Sequence, residues 1–309
     1  MQLIPVKDVN VRPRMSVEEL IELYGDIHGF GAAHLYEAVK ILEEMIAESD
    51  LRFLSFTGNL VATGLRGLLA QLISSKLFNV VVTTCGTVDH DIAKSMGGEY
   101  LKGSFDMDDI ELRRLGYHRI GNVLVHQTHY GKPVEDFVRK LVSDLIKVKS
   151  KWGVREILHE AGLRLADKRS ILHNSSINDV PIYVPGIVDG AFGTALFIQS
   201  QFMKFELEIF KDMKELSDMV FSSRKSGALI IGGGISKHHT LWWNQFKDGL
   251  DYAVYITTAA EWDGSLSGAR TKEAISWGKV KESGKHIVVY SDASLVLPIV
   301  AAYLISKTS

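Results

Sequence analysis

The chain has 309 residues, 46% of them hydrophobic and 23% charged, the balance of a globular protein with enough apolar material for a sizeable core. Its 35 Lys+Arg against 37 Asp+Glu leave a formal charge of −2; no global basic field draws it to nucleic acid or an anionic membrane, so a small molecule or a protein is the more natural ligand. Cys85 is the single cysteine, which excludes an intramolecular disulfide and fits a reducing cytoplasm.

Residues 1–15 carry Pro5 and Pro13 without periodicity and read as an extended arm suited to packing on a neighbouring subunit. They lack the charged start and apolar core of a signal peptide, and no apolar run in the chain is long enough to span a bilayer. Ser16 and Glu19 have the form of a capping box and open a helix through Tyr24, broken at Gly29-Phe30-Gly31. A second helix is expected from His34 to Ala47, with Leu35, Val39, Leu42 and Ile46 on one face. From Leu51 the rhythm alternates strand and helix. Candidate strands are 53–56, 80–82, 123–125, 182–184, 228–231, 252–257 and 286–290, with helices between most of them; basic and apolar residues at helical spacing over 139–151 read as a solvated helix face. The expectation is an α/β, Rossmann-like fold: a largely parallel sheet flanked by helices on both faces, with an N-terminal helical arm over 1–50 and a Rossmann-like domain over 51–309, together a single domain. In such sheets ligands sit at the C-terminal ends of strands, where the polar turns TGN after Phe56 and TTCGT after Val82 fall. The position of Cys85 there suggests a strand end rather than a catalytic thiol.

The stretch from Gly227 to Lys279 is the richest in chemistry. Strand, glycines (Gly232, Gly233, Gly234) and helix follow in order, an arrangement that lets a pyrophosphate approach backbone N–H groups at the positive end of a helix. The spacing is GGG rather than G-x-G-x-x-G, so glycines alone leave a nucleotide site and a plain tight turn level. Lys279 follows Trp277 and Gly278, with Glu273 six residues earlier and His238-His239 just past the glycine turn. A lysine is a nucleophile only when its amine is neutral, and a histidine can move the protons that imine chemistry requires.

Nearly the whole chain resembles deoxyhypusine synthase. The segments that carry the resemblance are FTGNLVATGLRG (from Phe56), VVTTCGTVDHD (from Val81), VPGIVDGAFG (from Val184), GGGISKHH (from Gly232), TAAEWDGSLSGAR (from Thr258), EAISWGK (from Glu273) and VVYSDAS (from Val288). The resemblance implies an NAD-dependent enzyme that moves the aminobutyl group of spermidine, through an imine on Lys279, to a lysine of the precursor of translation initiation factor five A, releasing 1,3-diaminopropane. It assigns proton transfer to His238 and amine binding to Glu273 and Trp277, with Asp189, Thr194 and Leu266 at further substrate positions. For the cofactor the matching positions are Asn59, Thr84, Cys85, Gly86, Asp189, the Gly232 to Gly234 turn, Thr258, Ala259, Asp263, Ser267, Asp292 and Ala293. It further implies a cytoplasmic homotetramer.

Departures from the family's eukaryotic pattern concentrate on acids. Thr194 and Leu266 stand where carboxylates would hold an ammonium, and His90 stands where a glutamate near the cofactor is usual. Gly58 and Ala62 replace serines in the first cofactor loop. Archaeal-type members look similar to this pattern. The missing acids keep open a relative with another amine donor or acceptor, such as agmatine or homospermidine formation, and a catalytically silent NAD-binding partner is a third reading. Metal is not expected: His126/His129 and His238/His239 lack the i, i+4 spacing, and a structural zinc site usually takes cysteines that this chain does not have. The acids Glu261, Asp263 and Glu273 suit a cationic substrate without requiring a paired-carboxylate hydrolase. The pair Trp242-Trp243 reads as core or subunit interface.

Overall fold

A computed structural model describes residues 4–307. Residues 1–3 of the expected arm lie outside them; residues 4–15 hold no helix or strand, and Lys7 pairs with Asp26 at 2.7 Å. The chain divides into two compact units, residues 1–55 with 219–309, and residues 56–218. The described strands are β1 (Leu51–Phe56), β2 (Val80–Val82), β3 (Tyr100–Lys102), β4 (Tyr117–Ile120), β5 (Val123–His126), β6 (Lys151–Trp152), β7 (Ile182–Tyr183), β8 (Glu206–Leu207), β9 (Ser226–Ile231), β10 (Leu250–Thr257) and β11 (Val280–Tyr290). The fold is α/β and Rossmann-like, built on a largely parallel sheet flanked by helices.

In the first unit the strand order is β11-β10-β9-β1, with β10 parallel to both β9 and β11. Every residue of β9 is buried, as a strand covered on both faces requires. The helix Gly31–Glu48 packs so closely on it that a Cβ at Gly227 would lie 2.4 Å from Met45 Cγ. The capping box is formed: Ser16 Oγ accepts from the N–H of Glu19, whose carboxylate accepts from the N–H of Ser16, and the helix runs Val17–Ile27. The expected strands at 228–231, 252–257 and 286–290 are all present and longer, and β11 begins directly after Lys279.

In the second unit β2 runs parallel to β7, and β6 to β8. The strand expected at 123–125 forms, but outside the parallel sheet: β5 is the centre of an antiparallel sheet ordered β3-β5-β4. The reason is local. Ile120 pairs with Val123, so Gly121-Asn122 is a two-residue hairpin turn, and Gly121 takes the φ of 60° that such turns need. The helix expected to reach residue 151 spans Gly131–Val148, because Lys149 is extended (φ −159°, ψ 162°) and Lys151-Trp152 is drawn into β6.

Candidate active site

Lys279 owes its place to the way its helix ends. The helix Thr271–Ser276 closes with Gly278 at φ 64°, the N–H of Gly278 donating to Ile275 O and that of Lys279 to Ala274 O, both at 2.9 Å. This is a Schellman cap, with glycine where the left-handed conformation carries no side-chain penalty and Lys279 at the residue after it. On the other side the Lys279 carbonyl accepts from Leu250 N–H at 3.0 Å. The lysine is 9% exposed, with Nζ 5.0 Å from the centroid of the Trp277 ring.

A cavity of about 550 Å³ in this unit brings Lys279 together with His238, Glu273, Trp277 and Leu266. His238 comes from the helix Gly234–Gln245 and stacks on Trp242 one turn later, centroids 5.7 Å apart and planes 20° apart. Burial, and then the Lys279 cation, hold its pKa below the ordinary 6.5, which favours the neutral, proton-accepting imidazole. His239 turns away from this role: it accepts from Trp243 Nε1–H at 3.1 Å, and burial takes its pKa down to about 4.

Sequence reasoning missed part of this wall. Trp242, read as core or interface, lines the cavity; its i, i+4 spacing from His238 was the available signal. Lys237, Tyr255 and Arg270 also line it, and Arg270 pairs with Glu261. Nothing in the sequence marks Lys237 as buried, since lysine is rarely so.

The other candidates of this unit surround the glycine turn. Gly232 and Gly234 have φ of 80° and 63°, and Gly233 lies so close to Ser267 that a Cβ there would sit 2.1 Å from its Oγ. A Cβ at Gly234 would meet nothing within 4 Å, so the helix start is open. Ala259 N–H donates to Thr257 Oγ1 at 3.1 Å, with the exposed Thr258 between them, and Asp263 closes its own turn by accepting from Ser265 N–H at 2.7 Å. Asp292 caps the helix Ala293–Ser306 through the Ser294 N–H at 2.6 Å.

Asn59, Thr84, Cys85, Gly86, Asp189 and Thr194 belong to the second unit. Thr84 Oγ1 accepts from Gly58 N–H at 3.0 Å, tying the turn after β1 to the turn after β2, and Asn59 opens the short helix Asn59–Ala62. Cys85 and Gly86 begin the helix Cys85–Ser95. The Cys85 thiol is buried, and burial together with the neighbouring Asp89 pushes its pKa up to about 12, so it is no nucleophile. Asp189 and Thr194 are exposed and flank the start of the helix Ala191–Phe202. His90 is buried, hydrogen-bonded through Nδ1 to Tyr100 OH at 2.7 Å, with its pKa taken down to about 4 by burial. Among the described residues no group of three His, Cys, Asp or Glu is placed to hold a metal ion, and no helix is long and apolar enough to cross a membrane.

The deoxyhypusine synthase family profile matches residues 19–304. A probable deoxyhypusine synthase of Sulfurisphaera tokodaii is 55% identical over 300 residues, covering 97% of this chain and 96% of that protein. One of Sulfolobus acidocaldarius is 54% identical over 300 residues, with the same coverage. A crystal structure of a candidate deoxyhypusine synthase from Entamoeba histolytica shares the fold, with a TM-score of 0.66 at 20% identity and 98% coverage of both chains. A family profile that spans most of the chain and relatives matched along almost their full length place this protein in the deoxyhypusine synthase family.

Proposed function

We propose that the chain is an NAD-dependent transferase that moves the aminobutyl group of spermidine onto one lysine of the precursor of translation initiation factor five A, leaving 1,3-diaminopropane. The observation that carries this reading is the meeting of the Lys279 amine, the His238 imidazole, Glu273 and the Trp277 ring in one cavity. Lys279 forms and later gives up the bond to the aminobutyl carbon. His238, held neutral, takes a proton at its free ring nitrogen and returns it. Glu273 and the face of Trp277 hold an ammonium. Leu241, Tyr255 and Leu266 give the cavity apolar walls, which keep water from an imine.

The open start of the helix Gly234–Gln245, behind two glycines of positive φ, fits a pyrophosphate. When bound, NAD supplies the hydride acceptor and donor that the family's chemistry requires. The Gly232 to Gly234 turn would take its phosphates; the other cofactor positions remain those that the resemblance implies. A cytoplasmic homotetramer belongs to the same proposal.

Leu266 on the wall favours a second reading, in which the donor is another amine: Glu273 is the one carboxylate among the lining side chains. Intact-mass analysis of the purified precursor, incubated with this protein, NAD and spermidine, decides between them. The expected result is a gain of roughly 71 Da, one aminobutyl unit carried through the lysine, and its loss in Lys279→Arg. A gain only with agmatine or another amine would replace spermidine as donor, and no gain with any donor would overturn the transferase reading.

A further inference from the structure

Lys237 precedes His238 on its helix and lines the same cavity, yet it is only 1% exposed. A lysine ammonium so deep needs partners. Its Nζ donates to the carbonyl of Ala269 at 2.7 Å and lies 4.1 Å from the centroid of the Tyr255 ring. Tyr255 comes from β10 and is itself 1% exposed, and its hydroxyl has no hydrogen-bond partner among the described residues. A buried tyrosine normally finds a partner for its hydroxyl. Here the ring face, turned to the lysine, is the part in use.

The carbonyl that Lys237 holds is well placed to matter. Ala269 stands immediately before Arg270, the N-cap of the helix Thr271–Ser276, which bears Glu273 and leads through Trp277 and Gly278 to Lys279. One hydrogen bond thus joins the helix of His238 to the segment of the other polar groups of the cavity. Packing alone would be served by methionine, an unbranched apolar side chain one atom shorter than lysine and without its desolvation cost. Burial takes the amine down to about 8, with the Glu273 charge opposing, so the site keeps a charged group at a cost.

We propose that Lys237 is a positioning residue: its ammonium, seated on Tyr255, grips the Ala269 carbonyl and fixes the segment bearing Glu273, Trp277 and Lys279 against the helix bearing His238. The proposal rests on the transferase reading of the cavity, and its test uses the full chain with NAD, spermidine and the precursor. In Lys237→Met, kcat should fall at least about tenfold with KM for spermidine within about threefold, the pattern of lost transition-state alignment. The melting temperature should not fall, because an ammonium has left the interior. Lys237→Arg should recover part of kcat, and amide hydrogen exchange over 258–279 should quicken in Lys237→Met alone. Should Lys237→Met fail to fold, Tyr255→Leu is the second variant, with the same loss of kcat expected. A kcat within about twofold of wild type in Lys237→Met, or in Tyr255→Leu where that variant decides, would overturn the proposal. A wild-type chain that transfers nothing from any amine would instead sink the transferase reading; unchanged exchange over 258–279 would still overturn the latch.

Discussion

Gly58 shows how a steric limit can fix a single residue. A Cβ at this position would lie 2.5 Å from the carbonyl carbon of Gly86 and 2.6 Å from the nitrogen of Thr87, both backbone atoms that no rotamer change can move. The same approach lets the Gly58 N–H reach Thr84 Oγ1. Gly58→Ser is therefore expected to destabilise the fold by about 1–3 kcal/mol, the usual cost of overpacking, measured as a lower urea midpoint at unchanged m value. A residue list shows the glycine but not the distance that enforces it. At Lys279 the neighbouring Trp277, Glu273 and His238 marked the residue in the sequence, whereas the left-handed turn at Gly278 that presents it emerged only in the structure.

Among the elements, the sequence was most legible where an element is long and periodic or where its partner is near. The Ser16 box, the helix Gly31–Glu48 and strands β9 and β10 were readable on these grounds, and the hairpin sheet around β5 was not, because β3 and β4 are short and of mixed polarity. Least legible was the use of the VDHD segment. Asp89 accepts from the N–H groups of Ala191 and Phe192 at 3.0 and 2.7 Å and so caps the helix Ala191–Phe202 from afar. Asp91 does the same for the helix Ile171–Asn178, accepting from Ile171 and Leu172 N–H and from Ser170 Oγ while pairing with Arg66 Nε at 2.6 Å. Both caps reach across 80 or more residues of sequence, beyond the reach of any local pattern. Asp91 is fully buried, so Asp91→Asn leaves the Arg66 guanidinium with Asp167 as its one carboxylate partner among the described residues. The expected cost is about 3 kcal/mol, read from chemical denaturation, with helix content falling before the rest of the signal.

Across the whole molecule, charges of both signs balance, so the pH response of stability falls to individual partly buried groups. Asp212 is one: burial raises its pKa from the ordinary 3.8 to about 6, although the Arg155 N–H donates to it at 2.9 Å. A carboxyl with a higher pKa folded than unfolded binds its proton more tightly in the folded chain. Its stabilising contribution is fully present below the unfolded value and is lost as pH rises through the folded one. The melting temperature of Asp212→Asn relative to wild type should therefore climb between about pH 4 and about pH 7; a constant difference would refute the assignment.

The anchoring of Lys279 has a consequence for concentration. With the backbone N–H held by Ala274 and the carbonyl by Leu250, the amine roams only as far as its own methylene arm allows. One amine confined to 550 Å³ is equivalent to a solution of about 3 M before any orientation is counted. A carbon atom entering that space meets lysine at molar strength, whatever the dilution of the protein around it.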